Sequence, residues 1–218
     1  MRDPILEPES AAAMAAKLAS RLLRPTVLDE GMRSGLFLVR PSDSDSWTCV
    51  ARELVAALEG LGALVISVNA ANGSPATLHI ALQERVRTEL RATGGSTGSA
   101  NLTIQRYAGE ETLAALFEGL VERRGSDLVL MFDNVGSLAC PGGERLLKAL
   151  KAARDAVNLP DASKGHFLLI AADAMLSKLH ALAMDPNQAF YGARIEDFGQ
   201  IQESNYCPAK AVQADERN

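Results

Sequence analysis

Aromatic residues make up only 5% of this 218-residue chain, and Trp47 is its one tryptophan. Its core must therefore come from aliphatic side chains. Cysteine is scarce too: Cys49, Cys140 and Cys207 lie far apart, without the paired spacing of a zinc site or the even count of a disulfide framework. That usage suits a reducing compartment, and the expectation is a cytoplasmic protein. No Lys/Arg run that could track a phosphate backbone occurs and the net charge is −5, which argues against a nucleic-acid partner. No apolar run approaches the roughly 18 to 20 residues that span a bilayer, so no membrane role is expected. The Ala-rich stretch from Ala11 to Leu23 follows Asp3, Glu7 and Glu9, lacks the basic start of an export signal, and reads as helix. His79, His166 and His180 have no carboxylate or thiol neighbours at ligand spacing and read as structural.

What the chain does have is 47% hydrophobic residues, enough for one well-buried domain. Continuous apolar runs of strand length fall at Leu36–Val39, Ala63–Val68, Leu128–Phe132 and Phe167–Ala171. Two-sided hydrophobicity of that kind marks strands buried on both faces. Helical patterns lie between them at 47–60, 76–91, 110–124 and 144–157, after a first helix over 9–24 whose stripe is Met14, Leu18, Leu22 and Leu23. Alternation of strand and helix predicts an α/β fold with a parallel sheet covered by helices and right-handed crossovers. The expected organisation is an N-terminal helix over 1–26, a domain over 27–200 and a flexible tail over 201–218; the Gly/Ser/Thr-rich stretch at 92–100 reads as a surface loop.

Between the first strand and its helix the chain reads Pro41-Ser42-Asp43-Ser44-Asp45-Ser46-Trp47-Thr48. A phosphate-binding loop belongs at that place. Such a loop needs Gly so that backbone N–H groups close on the phosphates, Lys to reach the β/γ-phosphates, and Ser/Thr to hold Mg²⁺. This loop has neither the glycine nor the lysine. Two readings stand side by side: Asp45 or Ser46 caps the helix starting near Trp47, filling the place of a phosphate with the protein's own side chain, or the stretch is an ordinary polar turn. Trp47 is expected to pack against its own domain, Cys49 to be a buried, inert thiol, and Arg194 to be a solvated surface residue.

The segment Leu28-Asp29-Glu30-Gly31-Met32-Arg33-Ser34-Gly35-Leu36-Phe37-Leu38, then Pro41, then Asp133 after an apolar strand, then Gln188-Ala189-Phe190-Tyr191-Gly192-Ala193, resembles a bacterial family of AAA+-like P-loop ATPases over roughly residues 20–200. In that family the loop commonly reads Pro-Arg-Arg-Thr-Gly-Lys-Ser-Thr and a later strand ends in Asp-Glu. Carried over, Pro41 and Thr48 match. The two arginines fall on Ser42 and Asp43, while the glycine, lysine and magnesium-binding serine fall on Asp45, Ser46 and Trp47; shifting the register by one puts Trp47 on the lysine. Asp133 matches the acidic residue that holds Mg²⁺ through water, but the glutamate that would polarise the attacking water is Asn134. The polar sensor after the next strand would fall near Ala174 or Met175. The resemblance implies a three-layer P-loop NTPase-like sheet flanked by helices, and the chain stops soon after Ile195–Phe198, where relatives continue into a helical lid.

Each carboxylate set against a phosphate charge costs about 1 kcal/mol at 4 Å in bulk water and about 4 kcal/mol at an effective dielectric near 20. At roughly 1.4 kcal/mol per tenfold in affinity, Asp43 and Asp45 would cut triphosphate binding by orders of magnitude. The expectation is a catalytically inactive AAA+-like domain that needs no cofactor and serves as a protein-interaction or regulatory module. Its partner would be an active ATPase relative or another copy of itself. The alternative is an ATP-binding protein or ATPase with an atypical loop, using Thr48 and Asp133 for Mg-ATP. A third reading is a doubly wound domain that binds some other small ligand near residues 40–47 and 133–137.

Overall fold

The computed structural model describes residues 11–24, 35–41, 44–93, 112–159 and 165–198, with residues 44–46 and 196–198 as backbone alone. The tail expected at 201–218, Ser42 and Asp43 of the loop, and all but the first two residues of the 92–100 stretch lie outside that set. The strands are β1 (Leu36–Pro41), β2 (Leu64–Asn69), β3 (Leu128–Asp133), β4 (Phe167–Ala172) and β5 (Ile195–Phe198). The helices are α1 (Ala11–Leu23), α2 (Ser44–Gly60), α3 (Pro75–Thr93), α4 (Leu113–Arg124), α5 (Pro141–Asn158) and α6 (Leu176–Met184). Short 3₁₀ turns follow β2 at Ala70–Asn72 and β3 at Val135–Leu138.

All strand pairs are parallel, in the order β2-β3-β4-β1-β5. The four apolar runs expected to be strands are the four inner and left-hand members of that sheet. Every residue of β4 is buried, because its alternate side chains enter two different cores. On one face Leu36, Leu38, Leu130, Phe132, Leu169 and Ala171 meet α3, α4, α5 and α6. On the other, Phe37, Val39, Val129, Met131, Leu168 and Ile170 meet α1 and α2. Each of the Leu, Ile, Val, Met and Phe side chains among them contributes about 1.5–3 kcal/mol relative to exposure. With so few rings available, Phe117 of α4 and Phe167 of β4 still stack, at 4.6 Å between centroids.

The first helix is an integral cover: Leu18 and Leu22 of the expected stripe are buried against α2, but Ala15 and Ala19 complete it in place of Met14 and Leu23, which are only half-buried. Alanines at i and i+4 let two helix axes come close, and the longer side chains then fall at the rim. The α2 helix begins at Ser44, three residues before the expected start, so Asp45 and Ser46 lie inside its first turn and neither is the residue ahead of it. Three consecutive polar residues gave no apolar period from which to read that turn. α6 shows no such pattern of its own, being only nine residues long.

The lower edge of the sheet is fixed by a side chain acting as backbone. The Asn158 amide donates from Nδ2 to the Phe167 carbonyl at 2.9 Å, and its Oδ1 accepts from the Phe167 N–H at 2.8 Å. Gly35, at φ +68°, is required beside it: a Cβ there would come within 2.7 Å of the Phe167 carbonyl oxygen. Replacing Asn158 with Ala leaves both Phe167 groups without their partner. The expected cost is about 2 kcal/mol, read as a lower urea midpoint at unchanged m-value.

Candidate functional site

In open α/β sheets the ligand crevice lies at the carboxyl ends of two adjacent strands whose following helices cover opposite faces. β1 and β4 are such a pair: they are hydrogen-bonded neighbours, α2 packs on the face of Phe37 and Val39, and α6 packs on the opposite one through Leu179 and Leu182. The candidate site is therefore the edge made by the end of β1, the first turn of α2 and the residue after β4.

That residue is Asp173, 4% exposed and the one buried charged side chain among the described residues. Its backbone N–H donates to the Val39 carbonyl at 3.2 Å, carrying the β4–β1 pairing one step past the strand. Its Oδ2 accepts from the Gly136 N–H at 2.9 Å and its Oδ1 from the Met175 N–H at 2.8 Å. One carboxylate thus ties the turn after β3 to the start of α6. Gly136 makes the approach possible, since a Cβ there would come within 2.6 Å of Asp173 Oδ2 and would collide with the methylene stem of Lys178.

Asp133 ends β3 and is half-buried, on the face shared with Val129 and Met131 and covered by α2. Burial pushes its carboxyl above the usual carboxylate range, the Asn134 N–H at 2.8 Å on Oδ1 pulls it back, and the Asp173 charge raises it again. Asn134 stands at φ +54°, the left-handed region that Asn tolerates, and its Nδ2 donates to Asn69 Oδ1 at 3.1 Å. That oxygen also accepts from the Ala71 N–H at 2.9 Å. The ends of β2, β3 and β4 are thus tied by side-chain hydrogen bonds.

The residues singled out in the sequence are distributed unevenly over this edge. Pro41 is buried at the end of β1, beside the start of α2. Asp133 is two strand spacings away, about 10 Å, with β4 between. Trp47 is 4% exposed and belongs to the core that α1 and α2 make with the sheet. Thr48, the next residue, is exposed, as are Ala174, Met175 and Arg194. Asp45 and Ser46 are placed by backbone only, and Asp43 lies outside the described residues. Asp173 is not among the residues singled out in the sequence, because the resemblance points to the two residues after it, Ala174 and Met175. The signal was an acid directly ending the apolar run Phe167–Ala172.

Cys49 departs from expectation: it is half-buried and disulfide-bonded, not an inert thiol, and its partner lies outside the described residues. Cys140 is an exposed free thiol. It borders a cavity of about 230 Å³ away from the strand ends, between Pro141 and Glu144 of α5 and Ala181 and Leu182 of α6. No group of His, Cys, Asp and Glu able to hold a metal ion occurs among the described residues, and no helix there is long and apolar enough to cross a membrane.

The two carboxylates should respond oppositely to amide substitution. Asp173→Asn must turn an NH₂ toward one of two N–H donors, so it should lose about 2 kcal/mol in denaturant unfolding, nearly as much as Asp173→Ala. Asp133→Asn keeps the oxygen that Asn134 needs and removes the charge. A carboxyl raised on folding binds its proton more tightly in the native state, so its ionisation weakens the fold at neutral pH and that penalty fades as pH falls. Asp133→Asn should therefore be more stable than the parent near pH 7, by roughly 0.5 kcal/mol for a partly screened charge, and indistinguishable from it in acid. No protein-family model matches this chain, and no curated protein does.

Proposed function

We propose that this chain is a P-loop-like domain of AAA+-like descent that has given up triphosphate chemistry and acts as a protein-interaction or regulatory module. The observation that carries the reading is the placement of Trp47, 4% exposed inside the core under α1 and α2. In one register of the resemblance this position is the magnesium-binding serine, and in the other the phosphate-binding lysine. A buried indole ligates no cation and reaches no phosphate. The carboxylates of Asp133 and Asp173 at neighbouring strand ends support the same reading, because they set negative charge near the edge where a triphosphate would add more.

The interaction half of the proposal draws on α6 and the turn after it. Gly192 N–H donates to the Ala183 carbonyl at 2.8 Å, which brings the turn back against the end of α6, where Met184 and Tyr191 are 65% and 60% exposed. Exposed Met and Tyr are residue types over-represented in interface cores. The partner class that the resemblance suggests is an active ATPase relative or a second copy of this chain.

Millimolar Mg-ATP should leave the thermal midpoint unchanged, whereas a ligand at 100 times its Kd would add about 2.7 kcal/mol of stability. ATP cleavage by the purified protein, abolished by Asp133→Ala, would overturn the reading. For the interaction, a Tyr191→Asp variant with unchanged melting should lose most of the self-association or relative-binding seen by sedimentation. Retention of full binding would remove this surface from the proposal.

A further inference from the structure

We propose that the free edge of β2 is a docking site for an extended peptide segment of another protein, which adds to the sheet as one more strand. β2 stands at the end of the order β2-β3-β4-β1-β5 and pairs with β3 alone. The Leu64 N–H donates to the Asp127 carbonyl at 2.8 Å, so the backbone groups of Leu64, Ile66 and Val68 turn toward β3. Those of Val65, Ser67 and Asn69 turn the other way, where their N–H groups have no acceptor among the described residues. Backbone donors and acceptors demand partners, and this row offers an added strand up to about six hydrogen bonds.

Edge strands are ordinarily blunted by Lys, Pro, a bulge or extreme shortness, and β2 has none of these. Its six residues, Leu-Val-Ile-Ser-Val-Asn, carry no charge and keep one register from Leu64 opposite Leu128 to Asn69 opposite Asp133. Ser67, near the middle of the row, is exposed. The two faces beside the row set the chemistry of what it takes. Leu64, Ile66 and Val68 belong to the larger core, and Leu64 and Val68 are only half-buried there, so an added strand would cover them with apolar side chains. On the opposite face, shared with Val65, stand Ser67 and Asn69, which suit small or hydroxyl-bearing neighbours. The occupant is thus an extended, uncharged segment in which β-branched apolar residues alternate with Ser or Thr.

Area favours a peptide over a second copy of the chain. A row of six residues is about 20 Å long. Contact along it alone covers on the order of 200 Å² a side, against about 800 Å² per partner in a stable pair of folded domains. A peptide draws its affinity from the main-chain hydrogen bonds and its specificity from alternate side chains, and needs no wider contact. This edge is the one farthest from β5 and from Tyr191 before it, and it is open whether or not the chain binds ATP.

The probe is a fluorescein-labelled synthetic peptide, Lys-Lys-Thr-Val-Thr-Val-Thr-Lys-Lys, with a control that carries Pro at its three central positions and so lacks three donors. Fluorescence anisotropy with full-length protein should show saturable binding of the first at up to millimolar protein and none of the control. Amide exchange followed by NMR should place it: the Ser67 amide exchanges freely without peptide and slows about tenfold at ten times the Kd, while Ile66, already bonded to β3, is unchanged. Ser67→Pro, a residue that edge strands accept where the N–H faces outward, should abolish binding; Ser67→Lys, which leaves the backbone intact, should weaken it with an unchanged unfolding midpoint. Absence of binding, equal binding of the proline control, a Ser67 amide that does not slow, or full binding by both variants would each overturn the site. So would a Ser67 amide already protected without peptide, which would give the edge to a second copy if protection rises with protein concentration and to the chain's own residues if it does not.

Discussion

The arrangement depends on one constraint: the three central strands of the sheet have no face to spare for water, and among the described residues only the edge strand β2 exposes one, Ser67. β4 is buried along its whole length, and its neighbours β3 and β1 are buried nearly so. A parallel strand in that position needs a helix on either side and cannot tolerate a polar side chain until it ends. Chemistry is thereby confined to the strand termini, where Asp133 and Asp173 both stand. The first acid with no solvent to meet it has to be satisfied by protein, and Asp173 is, accepting from two backbone N–H groups.

The same constraint explains what could be read in advance. Leu36–Val39, Leu128–Phe132 and Phe167–Ala171 are legible because two-sided burial leaves nothing polar in them. α6 and the short β5 are not, since nine and four residues carry too little period to separate from a loop. The start of α2 was misplaced because Ser44, Asp45 and Ser46 owe their helical state to the chain on either side rather than to an apolar face. At the site, Asp133 was recognisable as an acid ending a strand. Asp173 satisfies the same rule. Its role becomes visible only when the turn at Gly136, 37 residues earlier, is seen to come within hydrogen-bonding distance.

Two carboxylates at neighbouring strand ends differ in kind. Asp173 is a tie: both oxygens are engaged by the backbone, and its charge is matched by dipoles built into two loops. Asp133 has one backbone donor, is only half-buried, and feels its neighbour's charge. Of the pair, Asp133 is the one with binding capacity to spare. Trp47 stands inside the core that α1 and α2 make with the sheet. The edge thus holds one acid engaged by two backbone donors beside a half-buried acid engaged by one.

The two cores are unequal, and the inequality falls on one helix. Four helices share the larger face, whereas α1 packs chiefly on α2 and covers the smaller one. A helix that among the described residues is held mainly by a single neighbour, through two leucines and two alanines, detaches at far less cost than any strand of the sheet. Thermal breathing of this protein should start there, baring the outer flank of α2 while the sheet stays intact. Any process that acts on transiently opened chains would then meet the amino-terminal flank first.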